Sequence, residues 1–496
     1  MLGLEILLLV LYGLCLLFVL AFSVAQWRLT RLARRAYVAA ATAPAPPLPA
    51  DARQWPRVTV QLPVYNELNV VERIIDAAAA LDYPADRLQI QLLDDSTDES
   101  VALAATRVAY HRARGVDIEQ VRRPDRQGYK AGALAHGLAS ATGELVAIFD
   151  ADFVPAPDFL RLTVPYFLAD AQLGVVQTRW GHLNEDYSLL TELQAFGLNA
   201  HFLVEQVGRN AGHHFINFNG TGGVWRRRCI EQAGGWQADT LTEDLDLSYR
   251  AQLGGWHFRY LPAVVAPAEL PAQMDALRSQ QHRWNKGGAE TARKHLGRVW
   301  RSAALPLSTK LYATAHLLNS AVFVAVLLMG LLSVPLLLVQ TTTPELSWVF
   351  RLAGLSVLSL TPLVAYYYAA WRWNGGRGAT GRAFAPKLLL FLSISMGLSL
   401  HNGWAVLTGL AGRLTPFVRT PKSGLSTPGA TARLRRYRTG SVNGQTVLEA
   451  LLALYFAGGI YLAFRLHNYG LLPFHLLLTA GYAAVVYYSV RHARQP

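Results

Sequence analysis

The sequence predicts an α/β domain with a mainly parallel sheet, inserted between membrane-spanning helices. Three observations point there. Between residues 57 and 150, short apolar strands alternate with helical patterns. Acidic residues stand at strand ends, as Asp94-Asp95 and Asp150-Ala151-Asp152. Long apolar runs occupy both ends of a chain whose charged fraction is 16%, against roughly 25% in soluble domains.

Taken in order, Val58-Thr59-Val60-Gln61-Leu62 is a β-rich run ending at Pro63, and a helical pattern covers Val70 to Ala80. Ile90–Leu93 forms a second strand, with a helix near Ser100–Arg114 after it. Ile118–Arg122 and Leu145–Phe149 give two more strands, separated by a helix near Lys130–Ser140. Such alternation predicts a parallel sheet covered on both faces. Ligands of these sheets bind at the carboxyl ends of the strands. Pro63-Val64-Tyr65-Asn66-Glu67 and the two acidic groups all fall at such ends.

Leu2 to Ala25 is apolar except for Glu5, and Arg28, Arg31, Arg34 and Arg35 follow. Without a basic n-region or a small-residue cleavage site, it reads as a span rather than a removable signal peptide. Its basic flank belongs in the cytosol. Ala43 to Pro56, rich in Pro and Ala, reads as a linker. Leu311–Val339, Leu346–Trp371, Val447–Leu466 and Gly470–Val490 are each long enough to cross about 30 Å of hydrocarbon. Leu388–Leu400 is shorter, and its flanks decide its reading. Residues 372–387 and 411–440 carry Arg and Lys but no acid, so both loops belong on the cytosolic side. Residues 388–410 then form an in-plane or re-entrant element, and five segments cross; six is the alternative.

The basic residues cluster beside these spans. The net charge of +13 therefore reflects topology and attraction to anionic lipid headgroups, not nucleic-acid binding. The two cysteines, Cys15 and Cys229, offer no disulfide framework, so the soluble part is expected to be reduced and to face the cytosol.

Four signatures in fixed order carry the chemistry. Asp150 and Asp152 point to one side of an extended chain, and Asp152 suits direct coordination of Mg²⁺ or Mn²⁺ on a nucleotide diphosphate. Asp94 and Asp95 can accept hydrogen bonds from a nucleobase and ribose, while Ser96 or Thr97 can also cap the next helix. Lys130, in Gly128-Tyr129-Lys130-Ala131-Gly132, can reach phosphates or ribose. Asp244, in Thr242-Glu243-Asp244, opens a helix, where the dipole ordinarily lowers a carboxylate pKa. It can still act as general base on an acceptor hydroxyl in a dry pocket. Gln280 and Arg283 suit phosphate oxygens, and Trp284 a sugar face. Trp180 is either a second sugar platform or a core residue. Residues 289–304 also read as an amphipathic helix on the membrane surface.

These residues carry a resemblance to family 2 glycosyltransferases of the cellulose synthase superfamily, over roughly residues 57–300 and more weakly to residue 425. Gln61 to Glu67, Leu93 to Asp98, Gly128 to Leu134, Phe149 to Phe153, Phe218 to Arg226 and Gln280 to Trp284 are similar to plant cellulose-synthase-like mannan and glucan synthases. The resemblance implies a GT-A fold, inverting chemistry and a β-linked product made on the cytosolic side and passed through a channel. It implies nucleotide contacts at Asp94 and Asp95, metal and diphosphate at Asp150 and Asp152, and the base at Asp244. Tyr65, Glu67, Lys130, Thr221, Glu243, Gln280, Arg283 and Trp284 would complete the substrate site. Phe417, Thr420 and Lys422 match the family's gating loop, with Arg419 and Ser423 departing from its usual Val and Gly. No cyclic-dinucleotide-binding domain is expected after the last spans.

The implied division is a transmembrane helix over 1–27, a basic and Pro/Ala-rich linker over 28–56 and a GT-A domain over 57–288. An interfacial helix over 289–310 and two transmembrane helices within 311–371 follow. A cytosolic or in-plane segment with the loop spans 372–446, two transmembrane helices 447–490, and a basic tail 491–496. The expected reaction is hexosyl transfer from a UDP-glucose or GDP-mannose type donor to a growing polysaccharide. The alternative is a single addition to a lipid acceptor. The motifs specify no partner subunit.

Overall fold

The computed structural model describes residues 2–40, 45–343, 345, 360–375, 381–413, 415, 418, 422, 424 and 442–493. Phe417, Thr420, Arg419 and Ser423 lie outside the described residues, as does 346–359 of the expected span Leu346–Trp371.

The half between the first and the later apolar helices is built on a seven-stranded sheet in the order β3-β2-β1-β4-β6-β5-β7. β1 (Val58–Val64), β2 (Leu88–Asp94), β3 (Ile118–Val121) and β4 (Leu145–Ile148) run parallel, with β1 between β2 and β4. Val64 pairs with Asp94 and Gln61 with Ile148, so three strands end close together. That register assembles Tyr65, Asp95 and Asp150 on one rim.

Val58, Val60 and Leu62 are fully buried, and so are Thr59 and Gln61 between them. The polar pair bonds across the sheet, leaving Gln61 Oε1 as its one buried atom without a hydrogen-bond partner among the described residues. Thr59 Oγ1 donates to Gln89 Oε1 at 2.8 Å, and Gln61 Nε2 to Gln91 Oε1 at 3.1 Å. Cross-strand pairing of this kind offsets most of the cost of a buried polar strand face.

The sequence reading ended at β4 and missed the second half of the sheet. β5 (Leu173–His182) and β7 (His257–Ala268) pair in parallel, and β6 (Gly223–Arg226) lies antiparallel between β4 and β5. The antiparallel strand makes the sheet mixed. It also matters locally: Gly223 pairs with Ile148, which sets Thr221 beside Asp150.

Helices cover the sheet and lead to the membrane. α1 (Leu2–Ala40) is one helix of 39 residues, about 58 Å at 1.5 Å per residue, so it exceeds the hydrocarbon thickness. The expected linker start at residue 28 is therefore helical to Ala40, since no proline intervenes. Its far half packs on the sheet domain, with Leu29 and Ala33 buried. A Cβ on Gly208 would lie 2.5 Å from the Leu29 carbonyl oxygen.

α2 (Val71–Ala79), α3 (Ser100–Arg112), α4 (Tyr129–Ser140), α5 (Leu189–Ala200) and α6 (Glu243–Leu253) flank the sheet. α7 (Met274–Arg301) is a single long helix from the site toward the membrane half. The expected span Leu311–Val339 is two helices, α8 (Leu307–Leu317) and α9 (Ala321–Thr342). α10 (Leu360–Gly375) precedes α11 (Gly381–Gly397) and α12 (Ser399–Leu410), which meet at a bend of 50°. α13 (Gly444–Arg465) and α14 (Leu472–Ala493) close the chain.

Among the described residues, α1, α9, α13 and α14 are long and apolar enough to cross a membrane, and the bent α11–α12 pair is a broken span or a re-entrant element. The chain is a multi-pass membrane protein. Cys15 and Cys229 are both free.

Candidate active site

The rim of the sheet opens on a cavity of about 190 Å³. Tyr65, Glu67, Asp95, Asp150 and Asp152 reach it from the strand ends. Lys130 reaches it from α4, and Glu243 and Asp244 from the start of α6. Gln280, Arg283 and Trp284 come from α7, and Lys422 from the loop beyond α12. Residues separated by more than 350 positions thus share one wall.

Two residues of the predicted substrate set stand elsewhere. Asp94 is buried and does not line the cavity. Its Oδ1 accepts from the Ser96 backbone N–H at 2.8 Å and its Oδ2 from Gln120 Nε2 at 2.6 Å. Its carboxylate shapes the turn after β2. Thr221 is also off the wall; its Oγ1 accepts from the Asp150 N–H at 2.8 Å and fixes that residue's backbone.

Asp95 is gripped by Arg123, whose Nε and Nη2 donate to its two oxygens at 2.7 and 2.6 Å. Such a fork holds a carboxylate in one plane. Arg126 lies 3.4 Å above the Tyr65 ring. Sequence reading passed over both arginines, because Arg122-Arg123-Pro124-Asp125-Arg126 looks like an ordinary charged turn.

The acidic pair is matched by two lysines. Lys130 Nζ donates to Asp150 Oδ1 at 2.5 Å and to the Gly220 carbonyl at 2.8 Å. Burial opposes the charge of Lys130, yet Asp150 and Glu243 outweigh it and raise its pKa. Lys422 Nζ donates to Asp152 Oδ2 at 2.6 Å, while Asp152 Oδ1 is buried without a hydrogen-bond partner.

Asp244 meets this cluster through Gly220. That glycine has φ of +79°, and a Cβ there would come within 3.0 Å of Asp244 Oδ2. Glycine is required both by the left-handed backbone and by the close approach. The Leu245 N–H donates to Asp244 Oδ1 at 2.9 Å. Burial first, and the Glu243 charge second, push the Asp244 pKa up to about 7, against Lys130 and the backbone donors. This corrects the lowered value that the helix position by itself suggested. Asp246, two residues further along α6, goes the other way. Burial would raise it, but His295, Lys294 and Arg250 hold it well below the carboxylate range.

The aromatic wall is composite. Trp180 and Trp284 have ring centroids 6.3 Å apart, and Phe153 meets Trp180 edge-on at 5.4 Å. Trp180 therefore faces the site while also packing on the core. His182, missed in the sequence, lines the same cavity; burial and then Arg179 push its pKa down to about 4. Burial likewise lowers the Arg283 pKa, although Asp150 and Glu243 favour its charge. Arg283 Nη1 donates to the Val418 carbonyl at 3.1 Å, and the Gly424 N–H to Glu269 Oε2 at 3.0 Å, so the loop rests on the site's edge.

A second cavity of about 390 Å³ begins at Trp180, Asp244 and Trp284 and runs between α5, α7, α9, α11 and α12. Its far lining is mostly apolar, including Leu277, Phe323, Phe391 and Leu398. Asp244 belongs to the walls of both cavities.

A mixed sheet with an acidic rim, set among membrane helices, defines a GT-A glycosyltransferase architecture. Residues 56–287 match the family described as glycosyltransferase like family 2. A glucomannan 4-beta-mannosyltransferase of Arabidopsis thaliana is 36% identical over 401 residues, covering 77% of this chain and 71% of the relative. One of Oryza sativa subsp. japonica, named as probable, is 34% identical over 454 residues, covering 87% and 82%. Another probable one of Arabidopsis thaliana is 44% identical, covering 52% of this chain and 48% of the relative, so the chain spans about half of that protein. A solved mannosyltransferase from Pyrobaculum calidifontis shares the fold, at 24% identity and a TM-score of 0.50, covering 74% of this chain and 99% of that one. The chain belongs to the family 2 glycosyltransferases of the cellulose synthase superfamily.

Proposed function

We propose that this chain is a membrane-embedded inverting hexosyltransferase that extends a β-linked polysaccharide from a nucleotide-diphosphate sugar. A mannosyl donor of the GDP-mannose type is favoured over UDP-glucose. The names of the relatives support this sugar, and the solved mannosyltransferase of the same fold was obtained with GDP-Man and Mn²⁺. The observation that carries the reading is the position of Asp244, on the wall shared by the acidic cavity and the second cavity.

In this reading the acceptor hydroxyl approaches from the second cavity and Asp244 takes its proton. The hydroxyl oxygen forms a bond to C1 of the donor sugar as the bond from C1 to the diphosphate breaks, and the electron pair leaves with the diphosphate. Attack from the face opposite the leaving group inverts C1 and gives the β-linkage. Lys130 and Arg283 neutralise the departing charge. Asp95, Arg123, Arg126 and Tyr65 hold the nucleoside, and Trp180 and Trp284 stack on sugar rings.

A divalent cation, Mg²⁺ or Mn²⁺, suits Asp150 and Asp152. The buried Asp152 Oδ1 lacks a partner, and both residues offer hard oxygen donors. Among the described residues no group of three or more His, Cys, Asp or Glu could hold a metal. Two carboxylates are enough for an ion that completes its shell with phosphate oxygens and water. When bound, the ion supplies positive charge to the diphosphate.

The catalytic domain is assigned to the cytosolic side, with residues 57–288 as its extent and the segment carrying Lys422 beside it. The apolar far lining of the second cavity keeps a lipid acceptor as the second reading. The test is a donor screen on purified, membrane-reconstituted protein, with nucleotide release, product linkage and chain length as readouts. A β-1,4-mannan ladder from GDP-mannose supports the proposal. A single sugar on lipid replaces it with the second reading, and no nucleotide release from any donor rejects both.

A further inference from the structure

His201 stands where α5 gives way to a π-helical turn, His201–Gln206. Such turns are rare and concentrate at functional sites. Here the turn brings His201 Nδ1 to 2.8 Å from Glu205 Oε2. Glu205 is buried and held by further donors, the Tyr366 side chain among them. Arg209 Nη2 donates to Oε2 at 2.9 Å, and Gln26 Nε2, from the membrane helix α1, donates to Oε1 at 2.5 Å. Burial would raise the Glu205 pKa, but Arg209 and the bonds from His201 and Gln26 hold it down to about 2. An ionised carboxylate only accepts, so Nδ1 carries a proton and donates to it.

The other ring nitrogen is thereby aimed. Nε2, left as an acceptor, lies 3.3 Å from Asn219 Oδ1, itself an acceptor that takes a bond from Asn217 Nδ2 at 2.5 Å, so the two can be bridged only by a donor between them. His201 and Asn219 both line the second cavity, and Asn219 also lines the acidic one. Asn219 Nδ2 is buried without a hydrogen-bond partner. A sugar hydroxyl meets both needs at once, donating its proton to Nε2 and accepting from Nδ2. The same cavity offers the faces of Trp180 and Trp284, and an aromatic face with a polar edge is how proteins read pyranose rings.

We propose that His201, oriented by Glu205, is a specificity-determining residue for the acceptor: with Asn219 it binds a hydroxyl of the acceptor's terminal sugar and so selects the hydroxyl presented to Asp244. This rests on the transferase reading above. It leaves the donor site untouched, which sets the form of the test.

The experiment uses the full chain in lipid nanodiscs, with GDP-mannose and added β-1,4-manno-oligosaccharides. His201→Asn keeps a polar atom near the Nδ1 position and loses the one at Nε2; His201→Gln keeps one near Nε2. His201→Asn should raise the KM for the oligosaccharide by about tenfold or more, the scale of a lost hydrogen bond to a buried partner. The donor KM and the acceptor-independent nucleotide release should stay within about twofold, and His201→Gln should recover most of the loss. Glu205→Gln, which no longer dictates the tautomer, should fall between them. An unchanged acceptor KM in His201→Asn overturns the proposal. So does an equal loss in donor and acceptor KM, or in acceptor-independent release, because that marks a merely structural role. If the wild type itself shows no stimulation by the oligosaccharides, the polysaccharide-extending reading fails first, leaving the lipid-acceptor reading, and the assignment of His201 falls with it.

Discussion

Lys422 Nζ lies 2.6 Å from Asp152 Oδ2, an ion pair that spans 270 positions of sequence and carries the loop after the membrane helix α12 onto the acidic rim. Burial opposes the Lys422 charge, but Asp152 and Glu67 raise its pKa. The backbone beside it is tied down as well, since Asn69 Nδ2 donates to the Lys422 carbonyl at 3.2 Å. The membrane half and the catalytic half therefore meet at the carboxylate proposed to hold the metal.

Asp244→Asn should abolish transfer while nucleotide-diphosphate binding stays within a few-fold. The change keeps shape and removes the basic oxygen, and loss of a general base removes about two to four orders of magnitude in rate. Turnover by the variant above about a tenth of wild type would falsify the assignment of the base.

The pH profile follows from the same residue. Asp244 acts only when deprotonated, and its pKa in the free enzyme is raised to about 7, so kcat/KM should climb as pH rises through that region. Glu243 contributes to the upward shift. Glu243→Gln removes that charge and should move the rising limb to lower pH. A limb that stays in place, or moves up, contradicts the coupling of the two carboxylates.

Chelation should stop the reaction. EDTA removes the cation that Asp150 and Asp152 are proposed to hold, and Mg²⁺ or Mn²⁺ should restore activity. Asp152→Asn should raise the metal concentration needed for half-maximal rate. Full turnover in excess chelator rejects a metal at this pair.

Arg123→Met releases the fork on Asp95. The donor KM should rise by about tenfold, in keeping with the loss of a charge-assisted pair, with a smaller change in kcat. A donor KM within twofold of wild type would remove Asp95 from the nucleoside site.

Topology is testable with a cysteine at Ser423 in a cysteine-free background. Residues 372–387 and 411–440 are proposed to face the cytosol with the catalytic domain, so a membrane-impermeant reagent should not label intact cells. Labelling from outside would place α11 and α12 across the bilayer and the loop on the far side.

The sequence by itself determined the first four strands, their helices and the acidic groups at their ends. Short β-rich runs closed by Pro63, Asp94 and Asp150 are local signals, and burial of Val58, Val60 and Leu62 agrees with them. It also determined which stretches are apolar enough to enter a membrane, because that depends on composition alone. The antiparallel β6 was not legible. Gly223-Val224-Trp225-Arg226 is four residues long, and its neighbours β4 and β5 are fixed only by long-range pairing. Nor could spacing tell that Asp94 turns inward to Ser96 and Gln120 while Asp95 turns out to the cavity, since the two are adjacent and chemically alike. Tertiary structure alone set the Asp244 pKa. A helix start favours the charged form by a local dipole, but desolvation and Glu243 win once the folded walls exclude water. It alone also brought His201, Glu205 and Gln26 together, because a π turn and a contact across 179 positions leave no periodic trace in the chain.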